Sequence, residues 1–143
     1  VCAVPRPLVA VTTLTAAAAG QGSGATGVLL AAGRQSAYFQ HFNVSPGSDP
    51  ASLGAAGELL LDELPRWAPN LPARLILQRE SWAALLATAN KELVVFDPEE
   101  YRRGAAWLAW RRFTTGHHAD PATLEPFYCK QPQAEITLAT GKL

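Results

Sequence analysis

Val28-Leu29-Leu30-Ala31-Ala32-Gly33-Arg34-Gln35-Ser36-Ala37-Tyr38-Phe39-Gln40-His41-Phe42-Asn43-Val44 is the stretch that decides the fold. Its first five residues are apolar enough for a strand buried on both faces, Gly33 to Ser36 carry turn chemistry, and Ala37 to Val44 read as a second strand. The turn is short enough for an antiparallel hairpin. Downstream, Ala73 to Leu77 reads as a strand, Glu80 to Ala89 as a helix and Leu93 to Phe96 as a strand closed by Asp97-Pro98. A long helix then runs from Pro98 to Thr115, with Pro in its first turn and Glu99 and Glu100 near its positive end. Strands alternating with helices demand a parallel portion, and the hairpin adds antiparallel pairing to the same sheet.

Between hairpin and third strand, Ser45 to Pro50 is a loop, and Leu60, Leu61, Leu64 and Trp67 recur at helical steps over Glu58 to Trp67, a helix shortened by Pro65. Upstream, Leu8 to Val11 reads as a strand, Thr12 to Thr15 as a cap, and Ala16 to Ala19 as a helix stopped by Gly20. Gly20 to Gly27 reads as a flexible linker. The expectation is a single α/β domain over residues 1–143. Its mixed sheet is built from Leu8 to Val11, Val28 to Ala32, Ala37 to Val44, Leu75 to Leu77 and Leu93 to Phe96, with Pro98 to Thr115 packed on it.

Composition agrees with one globular unit. The 143 residues are 48% hydrophobic and 17% charged, with 12 basic and 12 acidic side chains. A chain of this size buries roughly 70% of its unfolded surface, enough for a core without disulfides or metals. Balanced charge argues against an electrostatic nucleic-acid footprint, so no direct nucleic-acid contact is expected. The apolar runs fall far short of the ~20 residues of a membrane span, and the first residues lack a basic region before an apolar block. Cys2 and Cys129 are too few for a disulfide framework, so the cytoplasm is the expected compartment. The chain contains no Met and opens on Val1, which reads as a piece of a longer protein.

Four constellations bear on chemistry. Gly22-Ser23-Gly24-Ala25-Thr26-Gly27 has the spacing of a dinucleotide loop, but that loop needs a strand before it and a helix after it. Here the order is reversed, so no cofactor is expected. His117 and His118 are adjacent beside Asp120, whereas one ion site on a helix needs ligands three or four apart. They read as polar residues at a helix end, and no metal is expected. Cys129 near these histidines in sequence says nothing of distance in space, and no Gly-x-Ser-x-Gly occurs. The pairs Asp62-Glu63 and Glu99-Glu100 read as solvated helix positions, without the burial or like-charge neighbour that raises an acid's pKa. No catalytic residue is assigned.

The last helix is different. Tyr101, Ala105 and Leu108 share one face, while Trp107, Trp110 and Phe113 wrap the far side among Arg102, Arg103, Arg111 and Arg112. One neighbour cannot cover both faces. Packing inside the fold is the plainer reading; the other makes Trp107, Trp110 and Phe113 an interface, since Trp and Arg are enriched at hot spots. A lobe lacking its other half exposes apolar surface, so a homodimer is the expected association.

In order along the chain, four passages carry a family resemblance. They are Val4-Pro5-Arg6-Pro7-Leu8-Val9-Ala10-Val11-Thr12-Thr13-Leu14-Thr15-Ala16, the hairpin Val28 to Tyr38, Asp120-Pro121-Ala122-Thr123-Leu124-Glu125-Pro126-Phe127-Tyr128, and Gln131-Pro132-Gln133-Ala134-Glu135-Ile136. Together they resemble the C-terminal part of the TsaB (YeaZ) family, glycoprotease-like proteins of tRNA threonylcarbamoyladenosine biosynthesis. The resemblance implies the second half of an actin-like ATPase (ribonuclease H-like) fold. It also implies a non-catalytic, cytoplasmic scaffold that binds a TsaD-like paralogue, which carries the metal and nucleotide site, with a TsaE-like ATPase as a further partner. The alternatives are a glycoprotease-like hydrolase and a diverged homodimeric interaction module. Ala31 and Ser36 stand where the family pattern has Asp and Glu, and the family's N-terminal "GPGSFTGLR" passage has no counterpart here.

Overall fold

The computed structural model of the chain describes residues 8–124. Cys2, Cys129 and the resembling passages before Leu8 and after Leu124 lie outside the described residues. The hairpin forms as read: β1 (Gly24–Ala31) pairs antiparallel with β2 (Ser36–Val44), in register from Gly24 with Val44 to Ala31 with Ala37. On the other side of β1 lies β5 (Arg74–Leu77), parallel to it, and then β6 (Glu92–Val95), parallel again. Beyond β2, the sheet is completed by two short antiparallel pieces, β3 (Ala51–Ser52) and β4 (Gly57–Leu60), both paired with β2. The order is β3-β2-β1-β5-β6, with β4 also on β2.

Alternation along the strands divides the core. Leu29, Ala37, Leu75 and Leu77 point to one face, where they bury Leu64, Ala68, Leu71, Trp82 and Leu86. Val28, Leu30, Phe42 and Ile76 point to the other face and meet Leu14, Ala17 and Ala18 of α1 (Thr13–Gln21). The result is a sheet covered on both sides.

On that second face α3 (Pro98–Thr114) crosses α1 at backbone contact. A Cβ at Gly104 would lie 2.5 Å from the Ala16 carbonyl oxygen and 2.5 Å from the Gly20 nitrogen. A Cβ at Gly20 would collide with the Glu100 carbonyl. The Ala-rich run of α1 therefore does more than favour helix; its small side chains are what allow this approach. The Thr12 hydroxyl caps α1 by accepting from Thr15 N–H, and the Asp97 carboxylate caps α3 by accepting from Glu99 N–H at 2.9 Å.

Four local expectations need correction. Leu8 to Val11 is no strand: Leu8 makes a single bridge with Ala119, and both neighbours of every inner strand are already taken. Glu58 to Trp67 is not one helix. Gly57–Leu60 joins β2, a 3-10 turn covers Leu61–Glu63, and only Leu64–Trp67 (α2) is α-helical. Pro65 sits in the first turn of α2, where its missing N–H costs nothing, so the helix starts there instead of passing through. Glu80–Leu86 is 3-10 rather than α, without a side-chain cap at Arg79. Finally, the linker reading of Gly20 to Gly27 is too long, because β1 already begins at Gly24.

Candidate functional site

In open α/β sheets, ligands bind beyond the carboxyl ends of the parallel strands. Here those ends are Ala31, Leu77 and Val95. The polar side chains placed there are committed to the backbone. Gln78 Oε1 accepts from Ala31 N–H at 2.5 Å while Gln78 N–H donates to the Leu29 carbonyl at 3.0 Å, and the Asp97 carboxylate is the α3 cap. Ser36, at the family pattern's Glu position, is buried beside the hairpin turn, with its carbonyl accepting from Ala32 N–H. At these strand ends Gln78 and Asp97 are thus both engaged with backbone N–H groups.

The glycine-rich passage serves packing. Gly22 closes α1 by donating to the Ala18 carbonyl at 2.7 Å, and Gly24 turns the chain at φ +61. The buried Thr26 hydroxyl accepts from Ser23 N–H, and a Cβ at Gly27 would meet Phe39 at 2.7 Å and Leu75 at 2.8 Å. A helix precedes it and a strand follows, and its first two amides are spent on the α1 end and on Thr26.

His117 and His118 both line a cleft of ≈ 380 Å³ with Asp49 and Arg112, but their rings make different contacts. The Nδ1 of His117 shares a hydrogen bond with the Thr115 hydroxyl at 2.8 Å, and the His118 ring stacks on Phe113 at 5.6 Å. Among the described residues no three His, Cys, Asp or Glu side chains cluster for a metal. Asp62 and Glu63 are exposed, and Glu99 and Glu100 form ion pairs one turn on with Arg102 and Arg103.

What the structure does assemble is a surface on α3. Gly104 and Leu108 face inward and are buried, which leaves Trp110 in the middle of the opposite face at 66% exposure. Trp107 and Phe113 flank it, 37% and 43% exposed. Trp110 lies 6.1 Å from Phe113, and the Arg111 guanidinium lies 5.6 Å from the Trp107 ring centre. Trp107 also walls a cleft of ≈ 370 Å³ between the α1 end, the Ser45–Ser48 loop and α3. The three aromatic residues singled out from the sequence are thus brought together on one exposed face, among the described residues.

The end of this face is tied down by a contact the sequence reading missed. Asp49 sits between two cations: Arg111 Nε approaches its Oδ1 to 2.8 Å without hydrogen-bond alignment, and Arg112 Nε lies 3.6 Å from Oδ2. Arg111 also donates to the Gly47 carbonyl at 2.7 Å, and Arg112 to that of Ala10. In sequence Asp49 looks like an ordinary turn residue of Ser-Pro-Gly-Ser-Asp-Pro, and nothing local links it to α3. His41 was likewise not singled out; its Nε2 is buried on β2 with no hydrogen-bond partner among the described residues.

Strand order and helix placement define the class, an α/β unit with a six-stranded mixed sheet and flanking helices. No protein-family profile matches the sequence, and no curated protein matches it. Among solved structures the chain is similar to a Pseudomonas aeruginosa protein described as having similarity to the peptidase YeaZ. The match has a TM-score of 0.59 and 15% identity over 87% of this chain. The chain spans 60% of that protein's length. The likeness is one of fold, and it is the fold that the family resemblance implied. No helix among the described residues is long and apolar enough to cross a membrane.

Proposed function

We propose that this chain is part of a non-catalytic scaffold of the tRNA N6-threonylcarbamoyladenosine modification machinery, acting by binding a TsaD-like paralogue. The observation that carries the reading is the YeaZ-like fold over 87% of the chain, reached from a sequence whose passages fall in the same order. Two features support binding over chemistry. At the carboxyl ends of the parallel strands the Gln78 and Asp97 side chains are both engaged with backbone N–H groups. The most exposed large hydrophobic side chain, Trp110, sits instead on a helix face suited to protein contact. A TsaE-like ATPase is the further partner this reading carries, and the cytoplasm its compartment.

The printed description of the neighbour as similar to a peptidase keeps a hydrolase as the second reading. One experiment separates the two. In cells lacking the gene, mass spectrometry of tRNA nucleosides is expected to show less threonylcarbamoyladenosine, restored by the wild-type gene. Unchanged modification, together with peptide or glycopeptide cleavage by the purified protein, would replace the scaffold with the hydrolase.

A further inference from the structure

We propose that the cleft at the C-terminal end of α3 binds orthophosphate, with Arg112 and His118 donating to the anion and His117 accepting its remaining O–H. The cleft measures ≈ 380 Å³ and is lined by Ala10, Asp49, Arg112, His117, His118 and Ala119. That space admits a tetrahedral anion with part of its hydration shell, each water taking about 30 Å³.

Charge makes it an anion site. Asp49 is the one acid among the lining residues, and both of its oxygens face guanidiniums, Arg111 Nε at 2.8 Å from Oδ1 and Arg112 Nε at 3.6 Å from Oδ2. Two guanidiniums against one carboxylate leave a net positive charge. Asp120, two residues beyond His118, is turned to its own backbone, its Oδ1 accepting from Ala122 N–H at 2.9 Å. Arg112 is only partly spent, for its Nη1 serves the Ala10 carbonyl and its Nε faces Asp49. Among the described residues, Arg112 Nη2, His117 Nε2 and both ring nitrogens of His118 have no hydrogen-bond partner, while the His118 ring is held by its stack on Phe113.

The His117 tautomer narrows the choice of anion. Thr115 Oγ1 lies 2.8 Å from the Arg111 carbonyl oxygen and 2.8 Å from His117 Nδ1. A carbonyl has no proton to give, so the hydroxyl donates to it and the ring donates to the hydroxyl. The hydrogen-bond network thereby assigns the proton of neutral His117 to Nδ1 and leaves Nε2 a bare acceptor. A fixed cation beside an acceptor suits an anion that keeps one O–H. Orthophosphate does so throughout the neutral range, sulfate has none, and a phosphate monoester, with a second pKa of about 6, has lost it by pH 7.5.

The test is calorimetric titration of the whole chain at pH 7.5 and constant ionic strength, with orthophosphate, sulfate and glycerol 3-phosphate as separate probes. One orthophosphate is expected to bind, and the other two anions about tenfold or more weakly. His117→Ala is expected to erase that preference, and Arg112→Lys to weaken all three anions, since Lys lacks the planar fork. Because Arg112 also ties down Ala10 and Asp49, His118→Ala serves as the variant that leaves the fold alone; several-fold weaker orthophosphate binding is expected with an unchanged circular dichroism melt. Arg66→Ala, on α2 across the sheet, is expected to change nothing. Absence of saturable orthophosphate binding, equal affinity of wild-type chain for the three anions, or orthophosphate binding unaltered in both His117→Ala and His118→Ala overturns the proposal. The site stands or falls independently of tRNA modification.

Discussion

Gly104 shows how much of this molecule rests on single small residues. Its Cα faces the backbone of α1 so closely that a methyl group has nowhere to go, and the atoms in its way are backbone atoms that cannot rotate aside. Gly104→Ala is therefore expected to destabilise the chain by about 1–3 kcal/mol in urea unfolding. Gly54→Ala, with nothing within 4 Å of the new carbon, is expected to change stability little. Equal stability of the two variants would show that α1 and α3 do not touch as described. At His117 and His118, metal analysis of purified protein is expected to find no bound zinc; stoichiometric zinc that disappears in His118→Ala would contradict the contacts described, His117 with Thr115 and His118 with Phe113. The sequence permits some of this reasoning and blocks the rest. That Trp107, Trp110 and Phe113 leave the buried side follows from 100° steps alone, whereas the bridging of Asp49 to Arg111 and Arg112 depends on a loop folding back on a helix far away in the chain.

Elements were legible where one period dominated. Val28-Leu29-Leu30 and Ile76 are apolar on both faces because both faces are covered, and a run of that kind has few alternatives to a central strand. The misreading at Glu58 to Trp67 has a definite cause. Leu60, Leu61, Leu64 and Trp67 do recur at helical steps, yet Leu60 and Trp67 are 49% and 41% exposed, while Leu59 packs against the core from a strand. Tertiary pairing with β2 overrode a local period that spanned two different elements. Leu8 to Val11 failed for a related reason: its apolar run joins no strand of the sheet, and Leu8 is held instead by a single bridge to Ala119. For α3 the start was readable from Asp97-Pro98, and its cap carries a measurable share of stability. Asp97→Ala is expected to cost about 1 kcal/mol in chemical denaturation, and Asp97→Ser to recover most of it. Equal losses in both variants would mean that the carboxylate acts at this position other than as a cap.

At the scale of the whole molecule, strand order carries more information than any motif. A hairpin joined to two parallel strands in one mixed sheet is what the sequence led one to expect, although of the four resembling passages two extend outside the described residues and a third lies wholly beyond them. The strand beyond β2 was invisible in sequence. It is split into Ala51–Ser52 and Gly57–Leu60, each too short and too exposed to show an alternating pattern. The strand ends were legible in part, since Ala31 and Ser36 already stood out against the family's acidic pattern, but the capture of Ala31 N–H by Gln78 required coordinates. The proposed scaffold role makes contact with another protein the account's central claim. The most direct test is affinity purification of the gene's native product from its own cells, followed by quantitative mass spectrometry of what accompanies it. The account predicts a TsaD-like paralogue in near-stoichiometric amount; its consistent absence from a preparation in which the bait is intact and folded would contradict the account.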